Sequence, residues 1–262
     1  MTSSTGQTQQ HSQLWSAAPR DWADNELLCT PVYEAVFDAV DVGKGVRLLD
    51  IGSGAGTALR IAAARGATVA GIDAADGLVA VAREQVPDAD IRLGDLASLP
   101  FADGSFDVVT SFNAVQYAAD PVAALREAAR TTVHSGRVVI ATWGGPQRCE
   151  SRFAMAALRD LMPPPPGAGG PFALSAPGKL EELAEAAGLS PERVDDAPVT
   201  FTYPDLDTAI RIQLASGPAR RTMAAVGEAA CWHALSGALA ASRRDDGSYQ
   251  QANVFRYLVA RV

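Results

Sequence analysis

The stretch "LLDIGSGAG", residues 48–56, constrains this chain more than any other. An apolar run passes through one aspartate into three alternating glycines, and an alanine-rich segment, "TALRIAAARG", follows. That order spells strand, tight turn and helix. A strand this apolar needs neighbours and helices to cover both of its faces. Glycines in such a turn let the backbone come close to a ligand, because a Cβ would hold the ligand off. The open question is which ligand tolerates Asp50 at the centre of the turn.

The alternation continues downstream. "ATVAGID" predicts a second strand, "DGLVAVAREQ" a helix, "IRLGD" a short third strand and "FDVVTSF" a fourth. Asp120-Pro121 opens the helix "VAALREAART", and "GRVVIATWG" makes a fifth strand. Strands that alternate with helices imply parallel pairing and a doubly wound α/β sheet. Ahead of this core, Thr30 and Pro31 mark a cap and first helical position, with Val32, Val36 and Val40 on one face and Gly43 at the end. After Gly145 the rhythm breaks. "RFAMAALRDLM" predicts a helix, "PPPPGAGGP" (163–171) a stiff connector, and "GKLEELAEAAG" a helix ending at Gly188. An extended "RVDDAPVTFTY", a helical block over about 205–241 and a closing strand "NVFRYLVARV" complete the chain. Residues 1–13 predict a disordered tail and 14–262 a single domain. Its core spans 45–145 and 175–262, and its additions are roof segments 14–43, 147–171 and 205–241.

Composition narrows the classes of function. With 262 residues and 48% hydrophobic content the chain can bury a substantial core. The formal net charge of −8 argues against nucleic acid as the main partner, since phosphate binding needs a basic face. No basic run suits an anionic membrane, and no apolar stretch reaches the roughly 18 residues that span one. The polar start lacks the pattern of a signal peptide. Cys29, Cys149 and Cys231 are widely separated without C-x-x-C spacing, which fits a reducing compartment. A soluble, cytoplasmic protein is expected, and nothing in the sequence bears on its oligomeric state. His11, His134 and His233 are scattered, so no metal site is expected, and no Ser/His/Asp set or G-x-S-x-G is present.

A dinucleotide does not answer the question of the ligand. Its fingerprint, G-x-G-x-x-G or G-x-G-x-x-A, fails in both registers, with Thr57 or Leu59 at the sixth position. A carboxylate at Asp50 would also repel a pyrophosphate. S-adenosylmethionine has matching charges: an ammonium and a sulfonium for the acidic strand end, and a carboxylate for the helix N-terminus.

The motifs resemble those of the class I S-adenosylmethionine-dependent methyltransferases, most of all the small-molecule branch related to ubiquinone and menaquinone methyltransferases. The resemblance covers roughly residues 45–145, in order. "LLDIGSGAG" stands where that family has D/E-x-G-x-G-x-G, with Asp50, Gly52, Ser53, Gly54 and Gly56. In "GIDAADG" the resemblance implies that Asp73 binds both ribose hydroxyls, with Ala74 beside it. "LGDLASLPFADGSFDVVTSFNAVQYAADP" resembles the long central motif, which implies that Asp95 meets the adenine amino group and Leu96 its ring. Ser111, Phe112 and Asn113, at a strand end where open α/β sheets gather ligands, and Gln116 complete the expected cofactor set. Two positions depart from the family: Ser53 replaces a common cysteine, and Gln116-Tyr117 stands where many relatives carry histidine. The second departure leaves the substrate class open. The implied fold is a Rossmann-like seven-stranded sheet, mostly parallel with an antiparallel last strand, under a helical roof.

Methyl transfer needs positioning and exclusion of water, and a base only if the acceptor loses a proton as it attacks. The candidate bases are His233, in the helical block, and Tyr117, near the expected methyl position. A small hydrophobic organic acceptor of the kind met in specialised metabolism is expected against Trp15, Trp22, Tyr33, Trp143 and Trp232, although each of these also suits plain packing. Two other readings keep the same motifs: a cyclase or lyase that uses the cofactor's charge, and a non-enzymatic protein that binds S-adenosylmethionine or its product S-adenosylhomocysteine.

Overall fold

The structure, a computed structural model, describes residues 12–165 and 170–262. His11, most of the tail assigned to 1–13 and part of the proline connector (166–169) lie outside the described residues; residues 12 and 13 already belong to a helical stretch, 12–16. Ten helices follow among the described residues: α1 (Pro19–Leu28), α2 (Thr30–Ala39), α3 (Thr57–Ala64), α4 (Asp76–Gln85), α5 (Pro121–Thr131), α6 (Arg152–Leu161), α7 (Lys179–Ala186), α8 (Leu206–Gln213), α9 (Gly217–Val226) and α10 (Glu228–Leu239). They surround seven strands: β1 (Arg47–Ile51), β2 (Thr68–Asp73), β3 (Asp90–Leu93), β4 (Phe106–Phe112), β5 (Thr132–Trp143), β6 (Ser190–Tyr203) and β7 (Tyr249–Arg261).

The strands form one sheet in the order β3-β2-β1-β4-β5-β7-β6. The first five are parallel, and β7 runs antiparallel between β5 and β6. Apolar side chains on alternate positions divide between the two faces, as a two-residue period requires. Leu48, Val108 and Val139 join one core with Val36 and Phe37 of α2 and Leu59 of α3. Leu49, Val109 and Ile140 join the other with Leu125 of α5 and Leu180 of α7. Both faces are covered, which is why the central strands read as unbroken apolar runs.

Local chemistry sets the ends of the helices. Asp120 caps α5 by accepting from the Ala123 amide at 3.0 Å, and Asp205 caps α8 by accepting from Thr208 at 2.7 Å. At α2 the sequence expectation shifts. Thr30 lies inside the helix with Cys29 at the cap position, and its hydroxyl donates to the Leu27 carbonyl at 2.8 Å. The helix also stops at Ala39, well before Gly43, because Asp41 adopts a left-handed φ of 53° and the Val42 amide returns to the Phe37 carbonyl. β5 begins earlier than expected, at Thr132. Its first residues include left-handed Ser135 (φ 72°), opposite a register shift in β4 between Phe106 and Val108.

The parallel part of the sheet reverses its direction of winding between β1 and β4, the usual place for a ligand crevice in open α/β sheets. The roof comes from α1, α2 and α6 and from the connection between β6 and β7, which carries α8, α9 and α10. No helix of the described residues is long and apolar enough to cross a membrane.

Phe37 is fully buried beneath the roof and lies edge-on to Phe112 at the end of β4, 5.9 Å between ring centroids. Phe37→Ala is expected to cost about 3–5 kcal/mol. A melting experiment should show Tm lower by about 2–4 °C for each kcal/mol; a fall below about 3 °C would show that α2 is not anchored as described.

Candidate functional site

The turn after β1 satisfies its own backbone. The Gly52 and Ser53 amides donate to the Ile72 carbonyl at 2.8 and 3.0 Å, and the Gly56 amide donates to the Ser53 carbonyl at 3.0 Å. The Gly54 amide donates to Asp73 Oδ2 at 2.9 Å, and the other oxygen of Asp73 accepts from Ala75 at 2.9 Å. The two remaining donors go to one side chain that sequence reasoning missed. Glu26 of α1 accepts from the Ala55 amide at 2.7 Å and from the Thr57 amide at 3.1 Å. The start of α3, expected to receive a ligand's carboxylate, is capped by the protein's own.

Three carboxylates therefore converge on the ends of β1 and β2. Asp50 is 2% exposed and accepts from the Thr110 hydroxyl at 2.8 Å. Glu26 is 6% exposed, and Asp73 is half-buried. Burial pushes the Glu26 carboxyl up to about 7, against the pull of the Ala55 and Thr57 amides. Burial also raises Asp50 well above the usual carboxylate range and raises Asp73, despite their hydrogen bonds. Among the described residues no cationic side chain pairs with any of the three.

The glycines are fixed by the protein as much as by a ligand. At Gly54 (φ 55°) a Cβ would lie 2.0 Å from Glu26 Oε1. Gly56 (φ 91°) faces away from the crevice, and a Cβ there would lie 3.0 Å from the Ala82 methyl of α4. Its role is close packing of α3 on α4, which corrects its assignment to the cofactor set.

From the turn a cavity of about 1550 Å³ extends under the roof. Asp50, Gly52, Ser53, Gly54, Asp73, Ala74, Asp95, Leu96, Phe112 and Asn113 line one end. Asn113 has a left-handed φ of 51°, and Asp95 accepts from the Ala97 amide at 2.9 Å. Ser111 and Gln116 are buried behind this surface and do not line it; Gln116 Nε2 donates to Asn113 Oδ1 at 3.3 Å. Gln116 belongs to the support of Asn113. Of the aromatic candidates, Trp15, Trp22, Tyr33 and Trp143 line the cavity. Trp15 meets Trp22 at 4.6 Å and Tyr117 at 5.7 Å, Tyr33 meets Phe112 at 4.7 Å, and Trp143 is wedged against Phe255 at 4.5 Å. Phe153, Met155, Phe172, Phe201 and Phe255 extend the apolar wall.

Two candidates stand elsewhere. Trp232 is 41% exposed and His233 is exposed, both on α10 outside the cavity lining, because the buried face of that helix carries Cys231, Leu235 and Leu239. Tyr117 does line the cavity, but desolvation pushes its phenol up, away from the range of a base at neutral pH.

Residues 49–140, which run from within β1 to within β5 and include the glycine turn, match the family described as methyltransferase domain. This segment is similar to that family. A demethylmenaquinone methyltransferase of Paenarthrobacter aurescens is 39% identical over 111 residues, 42% of this chain and 44% of that protein. The enzyme of that name from Renibacterium salmoninarum is 38% identical over 111 residues, 42% of this chain and 47% of that protein. The chain thus matches less than half the length of these curated relatives. In three dimensions the likeness of fold extends further. The YcgJ protein from Bacillus subtilis superposes with a TM-score of 0.57 at 19% identity, over 88% of this chain and 98% of that one. The [4+2]-cyclase SpnF gives 0.56 at 20% identity, over 88% and 79%.

The acidic turn has a sign-definite pH dependence. Between the ordinary glutamate value of 4.5 and about 7, the folded protein holds a proton on Glu26 that the unfolded chain releases. The stabilisation is complete at acid pH and lost as the pH rises through 7, a difference of about 3 kcal/mol. Relative to Glu26→Gln, wild-type ligand-free protein should lose Tm between about pH 4.5 and 8; parallel curves would show that the carboxyl is not held neutral. Asp73→Ala strands the Gly54 and Ala75 amides and should lower Tm without any ligand, at about 1–3 kcal/mol for each amide left buried. An unchanged Tm would count against the hydrogen-bonded turn.

Proposed function

We propose that this protein transfers a methyl group from S-adenosylmethionine to a small hydrophobic organic acceptor. The observation that carries the reading is the continuity of the site: the carboxylate-lined glycine turn opens directly into a cavity of about 1550 Å³ walled by aromatic and apolar side chains. The residues fit the cofactor. Asp73 keeps further acceptor capacity on both oxygens for ribose hydroxyls, Leu96 and Asp95 stand at the rim for an adenine, and the buried carboxylates favour a cation. When bound, S-adenosylmethionine supplies a methyl group on a sulfonium that leaves readily.

The chain's own work is then to hold and to cover. Phe112 and Asn113 form the floor at the end of β4, and Trp15, Trp22 and Tyr117 close the side nearest the turn. Trp143, Phe201 and Phe255 hold the acceptor end dry. Fixing two reactants in line and excluding water can supply most of the acceleration. Neither of the two candidate bases serves in this scheme, since His233 lies outside the cavity and the Tyr117 phenol is pushed up. Acceptors that attack as they stand, or that lose a proton to water, suit it best.

The direct test uses methyl-labelled S-adenosylmethionine with hydrophobic phenols and quinols. Demethylmenaquinone, in reduced form, comes first, because it stands in the names of the relatives. Transferred label supports the proposal; an unlabelled rearranged product would replace it with cyclisation, and binding without turnover would replace it with a sensor. Once an acceptor is found, Met155→Trp, which fills the apolar wall, should raise its KM about tenfold or more and leave the Kd of S-adenosylhomocysteine within about twofold. His233→Gln and Trp232→Ala should leave kcat within about twofold and the pH–rate profile unchanged, against the loss of about 10²–10⁴ that removal of a general base brings.

A further inference from the structure

Glu26 is a buried carboxylate on a helix outside the matched segment. Its two oxygens take the Ala55 and Thr57 amides, and the other amides of the turn are bonded to Ile72, Ser53 and Asp73. No N–H of residues 52–57 is left for the carboxylate of an amino-acid ligand. Glu26 also lines the cavity, and each of its oxygens retains a lone pair.

The groups that face it are acidic or neutral. Asp73 stands at the end of β2 and Asp50 at the end of β1, while Tyr33 comes from α2 and Cys29 from the end of α1. Of the cations on the elements packed on α1, Arg60 of α3 is exposed, and the following are engaged elsewhere. Arg211 of α8 pairs with Asp21 and Asp24, Arg220 of α9 lies 3.7 Å from Asp21, and Arg20 of α1 itself pairs with Glu84 of α4. A cationic group on a ligand would complete this corner.

We propose that Glu26 reads the ammonium group of the cofactor's amino-acid end, in place of the turn amides that a ligand carboxylate would otherwise use. The proposal rests on S-adenosylmethionine being the cofactor and deepens that reading. It makes Glu26 a specificity residue and gives binding a proton balance. The Glu26 carboxyl, held at about 7 in the empty site, is half protonated near neutrality. Facing an ammonium it ionises fully, and its proton passes to the buffer. At pH 7 binding should therefore release protons.

Two probes separate the amino-acid end from the rest: S-adenosylhomocysteine, and methylthioadenosine, which lacks that end. Each is titrated calorimetrically at pH 7 into full-length protein, in two buffers of different ionisation heat. S-adenosylhomocysteine should release a measurable fraction of a proton and methylthioadenosine essentially none. Glu26→Gln should abolish the release and weaken S-adenosylhomocysteine on the order of tenfold to a hundredfold, while methylthioadenosine stays within about threefold. Equal losses for both probes would mean that Glu26 only holds the turn, and release that persists in Glu26→Gln would assign the proton to another group. Either result overturns the proposal while leaving the cofactor in place. If wild type binds neither probe, the cofactor reading falls and the proposal with it. If Glu26→Gln fails to fold, the wild-type comparison still decides, because equal proton release by the two probes overturns the assignment.

Discussion

The site depends on how one short turn disposes of its backbone amides. A loop that packs a strand end against a helix start must find partners for donors that no regular structure supplies. Here two carboxylates do so: Asp73 from the neighbouring strand and Glu26 from a helix that the parallel core does not require. The solution fixes the turn before any ligand arrives and gives the crevice a negative lining. It also ties the N-terminal roof to the core through buried hydrogen bonds, so α1 is part of the turn's architecture as well as a cover.

Much of this was legible in the sequence. "FDVVTSF" and "DGLVAVAREQ" coincide with β4 and α4, because burial on both faces of a parallel sheet leaves unbroken apolar runs and clear helical periods. Asp50 and Asp73 were legible from their places at strand ends. Glu26 was not, because its role depends on which distant backbone α1 meets. A faint signal exists: Trp22, Glu26 and Cys29 share one helical face, so a charge stands on the side that carries an aromatic and a cysteine. Gly56, Ser111 and Gln116 show the opposite limit. Each sits inside a recognisable motif, yet side-chain direction within the motif turns them to packing.

His233 and Trp232 illustrate a different gap. Residue type and segment made them candidates, but the rotation of α10 decides which face is buried. Cys231, Leu235 and Leu239 win that competition through apolar burial, and the neighbouring positions turn outward. A helix with apolar residues on every side gives little periodic warning of the outcome. The positions of the roof helices are tertiary facts, and function enters this protein largely through them.

The antiparallel placement of β7 bears on how the chain comes off the ribosome. Among the described residues β6 pairs with no strand other than β7, and β7 follows all the other strands in the chain. Until its 13 residues emerge, the edge of the sheet beyond β5 lacks its ladder, and α8, α9 and α10 follow a strand that has no described strand beside it. The earlier five-strand portion can assemble during synthesis from successive βα units. The roofed cavity, in contrast, closes only once β7 is in place. Loss of β7 would therefore leave the glycine turn largely built while opening the chamber above it.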